Sequence, residues 1–164
     1  VLLLSALCQA TEAPDTPQAP ALQWSRADAA AAEGAMPPAD GWQEQALPDE
    51  WRFTRPGFSG QVWYRVRFDL PATPAEAMAL LVPRVAVTGR FHLNGLVLNP
   101  QVRFTPADGP VGTQMTNQPQ YLVLPQGLLR AGPNELLVQV QGDAVTGGGL
   151  SRLSVGPADA LWRA

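Results

Sequence analysis

The stretch Gln61 to Leu70 constrains the fold more than any other part of the chain. Val62, Tyr64, Val66, Phe68 and Leu70 occupy every second position, while Arg65, Arg67 and Asp69 fall between them. Side chains alternate across a strand with period 2, so this pattern builds a strand with one face on a core and one face polar. A helix over the same residues would scatter its apolar groups around the axis and bury none of them together. Pro71, which has no N–H to give to a sheet ladder, ends the strand. Trp63 lies opposite Tyr64 in the alternation, so one of the two rings is expected to face solvent.

Other segments repeat the signal. Met78 to Pro83 is a short continuous apolar run, the mark of a strand covered on both faces. Phe91 and Leu93 alternate with Arg90 and His92 and lead into Asn94-Gly95, a pair suited to a type I′ hairpin turn because both central positions need positive φ. Tyr121 to Leu124 is closed by Pro125. In Asn134 to Gln141, Leu136, Val138 and Val140 alternate with Leu137, Gln139 and Gln141, and a last strand is expected over Leu150 to Val155. Gly132-Pro133-Asn134 reads as the turn leading into a strand. Short strands separated by turns, with little helix, point to an all-β sandwich. The 17 prolines and 15 glycines, spread rather than repeated, agree with many such turns.

A length of 164 residues accommodates one domain and a tail. Apolar residues make up 46% of the chain and charged residues 15%, with a formal net charge of -3. All 11 basic residues are arginine, and they form no basic stripe of the kind that meets phosphates, so nucleic acid is not an expected partner.

The first residues read as a processed leader. Val1 to Leu7 is apolar except for Ser5, and small residues follow at Ala10 and Ala13, so residues 1–13 are expected to be a partial signal peptide cut after Ala10 or Ala13. Leu7, directly before Cys8, is too large for a lipid-attachment site. Residues 14–41 read as a Pro/Ala-rich linker, extended around Pro14 to Ala21, with Ala27 to Ala32 forming a short helix or continuing the tail. The sandwich is then expected over residues 42–164, in a periplasmic or extracellular setting.

Several residues are candidates for recognition. Arg84 follows an apolar strand and Pro83, where its planar fork suits a carboxylate or sugar hydroxyls, or an ion pair with Asp69 or Asp49. The irregular stretch from Asn99 to Pro119 carries Arg103, Phe104, Thr105, Asp108, Gln114, Asn117 and Gln118, a polar set with one aromatic. Trp51, with Arg52 and Arg55, is a further candidate. His92, the sole histidine, is expected at the surface. It supports no histidine-based triad. No pair of acids is singled out for glycosidase chemistry. Gly147-Gly148-Gly149 precedes a strand and so lacks the helix N-terminus of phosphate-binding loops. No cofactor and no catalytic residue is indicated.

Leu47-Pro48-Asp49-Glu50-Trp51, Gly60, Trp63-Tyr64-Arg65-Val66-Arg67-Phe68, Phe91-His92-Leu93-Asn94-Gly95 and Gly132-Pro133-Asn134-Glu135-Leu136 follow one another in an order that resembles galactose-binding-like jelly rolls. The same order is similar to the sugar-binding domain of β-galactosidase-type glycoside hydrolases. Pro83-Arg84-Val85 and the closing Gly148-Gly149-Leu150-Ser151 with Val155-Gly156-Pro157 resemble the periplasmic N-terminal domain of proteobacterial sensor histidine kinases.

The second resemblance implies an extracytoplasmic input domain of a membrane-bound signalling protein, and this is the leading expectation, with the carbohydrate module as its alternative. Such a domain would sense a small molecule or glycan, with membrane and kinase regions of the same protein downstream. The first implies a carbohydrate-binding accessory domain of a secreted glycoside hydrolase. A plain scaffold for protein contacts is the third reading. Galactose-binding-like domains often hold a structural calcium, for which Asp108, Asp143 and Glu135 are possible donors, although their spacing selects none of them.

Overall fold

A computed structural model describes residues 20–104 and 113–164. Its strands are β1 (Leu22–Trp24), β2 (Arg26–Ala31), β3 (Gln43–Ala46), β4 (Asp49–Glu50), β5 (Gly60–Leu70), β6 (Met78–Val82) and β7 (Val85–Ala86). They continue as β8 (Thr88–Leu93), β9 (Leu96–Val97), β10 (Gln120–Val123), β11 (Gly132–Gly142), β12 (Gly149–Leu150) and β13 (Leu153–Pro157). Among the described residues there are also two short helices, α1 (Trp51–Thr54) and α2 (Ala158–Trp162).

The strands form two main antiparallel sheets, one of six strands in the order β3-β2-β5-β11-β8-β9 and one of four in the order β1-β13-β6-β10. A small third sheet, β4-β12-β7, adjoins them. The molecule is thus the expected all-β jelly-roll sandwich. Its spine is the pairing of β5 with β11, in register from Gly60 opposite Gly142 to Leu70 opposite Gly132. Val62, Tyr64, Val66, Leu136, Val138, Val140, Phe91 and Leu93 of the larger sheet pack on Leu80, Val82, Leu153 and Val155 of the smaller one. Burying each of these large side chains is worth about 1.5–3 kcal/mol against exposure, which fixes the register because a slip of one residue would turn the row outward.

The Asn94-Gly95 turn forms as expected, with φ of 48° and 85°. Asn94 does more than turn the chain. Its amide donates to the Leu128 carbonyl and to Asn134 Oδ1, both at 2.8 Å, and its Oδ1 accepts the Glu135 N–H at 2.9 Å. The hairpin and the Gly132-Pro133-Asn134 turn are therefore bonded to each other. The run Met78–Val82 is covered on both faces, since α2 lays Ala158 and Leu161 over Ala79 on its outer side.

Two expectations at the N-terminal end are corrected. Strands are already present well before Trp42, and the stretch assigned to a linker over residues 14–41 carries β1 and β2. The alanine-rich segment is a strand, not a helix or tail. Ala29 lies opposite Tyr64 and Ala30 opposite Trp63, and a methyl group is what fits beside two large rings. Helix propensity is a weak prior that such pairing overrides. The leader expected over residues 1–13 lies outside the described residues. Among the described residues no helix is long and apolar enough to cross a membrane.

Both rings of the Trp63-Tyr64 pair are buried, which departs from the expectation that one would face solvent. Tyr64 points into the core. Trp63 is on the outer face of the six-stranded sheet, where the chain between β2 and β3 folds back. Trp42 of that connection lies 4.1 Å from the Arg65 guanidinium, and the Gly34 carbonyl accepts from Gln139 at 2.6 Å.

Candidate functional site

The small sheet β4-β12-β7 frames a place where Arg84 meets other polar groups across a cleft. Its foundation is a buried hydrogen-bond relay. Trp51 Nε1–H donates to the Tyr64 hydroxyl at 2.7 Å, which donates to Asp49 Oδ2 at 2.6 Å. The Thr54 hydroxyl donates to Asp49 Oδ1, also at 2.6 Å. Asp49 is only 1% exposed, so these two donors replace the water that a carboxylate would otherwise need. Burial, then the charge and hydrogen bond of Asp49, push the Tyr64 hydroxyl well above its ordinary pKa, which keeps it protonated and donating.

Trp51 is the floor of this arrangement rather than a ligand contact, and its assignment as a binding residue is corrected. It is 2% exposed. A Cβ at Gly148 would sit 2.0 Å from its ring and one at Gly142 2.8 Å away, so only glycine lets the 142–148 segment lie on the indole. Phe58 meets the ring edge-on at 5.2 Å. Gly149, at φ +150° and with its Cβ position 2.2 Å from the Asp49 carbonyl, lets β12 run against β4.

Above this floor is a cleft of about 170 Å³ lined by Glu50, Arg52, Arg84, Ala86, Thr146, Gly147 and Gly148. A smaller recess of about 40 Å³ adjoins it, reaching Pro48, Asp49, Leu150 and Ser151. Arg84 belongs to both. Its main chain is clamped to Ser151, donating its N–H to Oγ at 3.0 Å and accepting the Ser151 N–H at 3.0 Å. Its side chain is exposed. The expected ion pair with Asp69 or Asp49 does not form, because Asp49 is enclosed with Tyr64 and Thr54 and Asp69 lines a different surface. Arg52 is paired, its Nη2 lying 2.8 Å from Glu50 Oε2.

Thr146 is placed by the turn that Asp143 organises. Asp143 Oδ1 accepts the N–H groups of Val145 and Thr146 at 2.8 and 2.7 Å, and Oδ2 accepts the Thr146 hydroxyl. Those bonds, first among them the Thr146 hydroxyl, hold the Asp143 carboxyl below its usual pKa. They also engage both oxygens proposed as calcium donors. Glu135, the second such candidate, pairs with Arg67 at 2.9 Å, and Asp108 lies outside the described residues. Among the described residues no three metal-ligating side chains come together.

The other recognition candidates are not in this cleft. Arg103 bonds through its main chain to Thr113, and Phe104 is stacked beneath the Arg90 guanidinium at 4.9 Å. Gln114 and Asn117 are exposed on either side of Met115, which is buried with its sulfur accepting the Gly89 N–H at 3.2 Å. Asn99 fixes the start of the same stretch by accepting from Phe91 and donating to Gly89, each at 2.9 Å. Thr105 and Asp108 lie outside the described residues. Of the predicted set, the structure brings Arg84 and Arg52 together and leaves Arg103, Phe104, Gln114 and Asn117 elsewhere. Sequence reasoning missed Glu50, Thr146 and the Gly147-Gly148 backbone. An aspartate three residues ahead of a threonine, followed by three glycines, was the legible signal of a tight, exposed turn.

No family model and no curated protein matches the sequence. Solved structures do match the fold. A GH2 β-galacturonidase from Eisenbergiella tayi superposes with a TM-score of 0.59 at 14% identity, over 84% of this chain and 24% of the enzyme. The β-glucuronidase from Ruminococcus gnavus gives 0.61 at 12% identity, over 87% of this chain and 30% of the enzyme. A Faecalibacterium prausnitzii β-glucuronidase gives 0.54 at 19%, over 80% and 22%. The chain thus spans less than a third of the length of each of these glycosidases. What it has in common with them is the fold, an all-β jelly-roll sandwich.

Proposed function

We propose that this domain is a carbohydrate-binding module that performs no chemistry itself, and that the cleft around Arg84 holds the sugar. The observation that carries the reading is the Arg84 guanidinium, exposed and without an ionic partner among the described residues, over a cleft that adjoins the hydrogen-bonded Trp51-Tyr64-Asp49 relay. A planar fork of five N–H donors suits a sugar carboxylate or a pair of vicinal hydroxyls. The Thr146 hydroxyl and the Gly147-Gly148 backbone add polar groups on the facing rim. The glycosidase neighbours support sugars as the ligand class. Their names, glucuronidase and galacturonidase, make uronic acids the first sugars to test.

Hydrolysis needs two carboxyl groups facing each other across the scissile bond, about 5–9.5 Å apart. In this cleft Asp49 is enclosed and hydrogen-bonded, and Glu50 is paired with Arg52. Neither is placed as a free acid or nucleophile, which supports a binding role. The leading expectation from the sequence, a sensor-kinase input domain, rests on the sequence resemblance alone, and the glycosidase neighbours favour its alternative, the carbohydrate reading, over it. An extracytoplasmic setting accords with a glycan ligand.

The test is titration of the chain with galacturonate, glucuronate, galactose and glucose, followed by amide NMR shifts. Saturable shifts at Arg84, Thr146 and Gly148 that Arg84→Ala abolishes are expected. Shifts elsewhere only, or none with any of the four sugars, would overturn the proposal.

A further inference from the structure

The outer face of the six-stranded sheet carries a second cluster that the cleft does not use. Five buried side-chain nitrogen or oxygen atoms lack a hydrogen-bond partner among the described residues, and four of them belong to this one face. They are Trp63 Nε1, Arg65 Nε, His92 Nε2 and Gln139 Oε1. Orphaned polar atoms scattered at random would not gather in this way, and each costs roughly 1–3 kcal/mol if it stays unbonded.

The register explains the gathering. Trp63 lies opposite Gln139, which lies opposite Arg90. In the next row Arg65 lies opposite Leu137, which lies opposite His92. The four residues therefore occupy two adjacent rows across β5, β11 and β8. The Trp63 and His92 rings approach to 5.4 Å over the strand between them. Trp63 is 0% exposed and Gln139 1%. The opposite end of the Gln139 amide is already held, donating to the Gly34 carbonyl and Gln61 Oε1 at 2.6 Å each. Its oxygen is left without a partner on the same face. The 33–42 connection closes over this face through Gly34 and through Trp42, which stacks on Arg65.

Chemically the cluster offers two N–H donors, from Trp63 and Arg65, and a carbonyl acceptor from Gln139. His92 Nε2 is a second acceptor when the ring is neutral. Burial first, and then the positive charge of Arg90, lower the His92 pKa and favour that neutral form. A water molecule accepts from two donors and donates to two acceptors, and a sugar hydroxyl accepts twice and donates once, so an oxygen of this kind complements the set. An anion would leave the Gln139 oxygen opposed by charge, and a cation would face Arg65 and Arg90.

We propose that Trp63, Arg65, His92 and Gln139 form a second binding site, specific for neutral hydroxyl groups, enclosed beneath the 33–42 connection. Either an enclosed water molecule or a hydroxyl of a bound sugar supplies this oxygen. The site does not depend on what the Arg84 cleft binds, so the failure of one leaves the other standing.

The test is water–protein cross-relaxation NMR on the 15N-labelled chain, read at the Trp63 indole N–H and the Arg65 Nε–H. It is recorded without ligand and with galactose. A cross-peak to a long-lived water, unchanged by galactose, assigns the oxygen to water. Loss of that cross-peak with a saturable indole shift assigns it to the sugar. Both outcomes support the site. Gln139→Leu keeps the packing volume but removes the acceptor and should abolish either signal, as should His92→Phe if Gln139→Leu fails to fold. An indole N–H that shows neither a long-lived water nor a sugar-dependent shift overturns the proposal. So does a crystal structure in which these four atoms bond directly to other protein groups.

Discussion

Replacing Tyr64 with phenylalanine removes one oxygen and no packing volume to speak of, and it tests the relay beneath the cleft directly. That oxygen accepts the Trp51 indole N–H at 2.7 Å and donates to Asp49 at 2.6 Å, and all three residues are at most 2% exposed. Loss of the bond to a buried carboxylate should cost about 1.5–3 kcal/mol, and the stranded indole N–H about 1 kcal/mol more. The sum, roughly 2.5–4 kcal/mol, corresponds to a fall in Tm of about 10 °C for a domain of this size.

Urea unfolding of the wild type, Tyr64→Phe, Trp51→Phe and the double variant measures it. The double variant should fall short of additivity by about 1 kcal/mol, because the indole bond is lost only once. Adding Asp49→Asn to Tyr64→Phe should recover part of the loss by removing a buried charge that has lost a donor. A Tyr64→Phe variant within about 0.5 kcal/mol of wild type, the range of ordinary surface substitutions, would refute the reasoning.

Gly148→Ala places a methyl group 2.0 Å from the Trp51 ring and should destabilise the domain by about 3 kcal/mol or more, measured by thermal unfolding. Arg84→Ala should abolish saturable uronate shifts while leaving Tm within a degree or two, because its side chain is exposed and unpaired; equal affinity with a lower Tm would make Arg84 structural. His92 has a folded pKa below its ordinary 6.5, so the unfolded chain takes up the proton first. Stability is therefore highest above about pH 6.5 and declines as the pH falls from there toward the lower folded value. The denaturation midpoint of wild type should fall relative to that of His92→Gln as the pH drops through that window, and a difference that does not change with pH would contradict the sign.

The strands were legible because each has a face that must be buried, and period-2 alternation records which residues share it. Gln61–Leu70 and Asn134–Gln141 carry that record in full and proved to be paired partners. β2 was illegible for the opposite reason. Its alanines are small to fit beside Trp63 and Tyr64, and smallness leaves no hydrophobic pattern to read. Arg84 could be singled out from its local setting after Pro83, but its partners could not, since Glu50 and Thr146 reach it only through the β4-β12-β7 pairing. Trp51 was misplaced because a tryptophan beside two arginines looks the same in sequence whether it is a platform or a floor. Only Gly142 and Gly148, far along the chain, decide which. Likewise, alternation put Trp63 and His92 on the polar face of the sheet, and nothing local announced that residues 33–42 would cover it.

Calorimetric titration of the wild-type chain and of Arg84→Ala with galacturonate, alongside a chromogenic uronide hydrolysis assay, tests the central claim most directly. The account predicts saturable one-site binding by the wild type, at least a tenfold loss in Arg84→Ala, about 1.4 kcal/mol, and no hydrolysis by either protein. Binding that Arg84→Ala leaves unchanged, or turnover of the uronide, would contradict it.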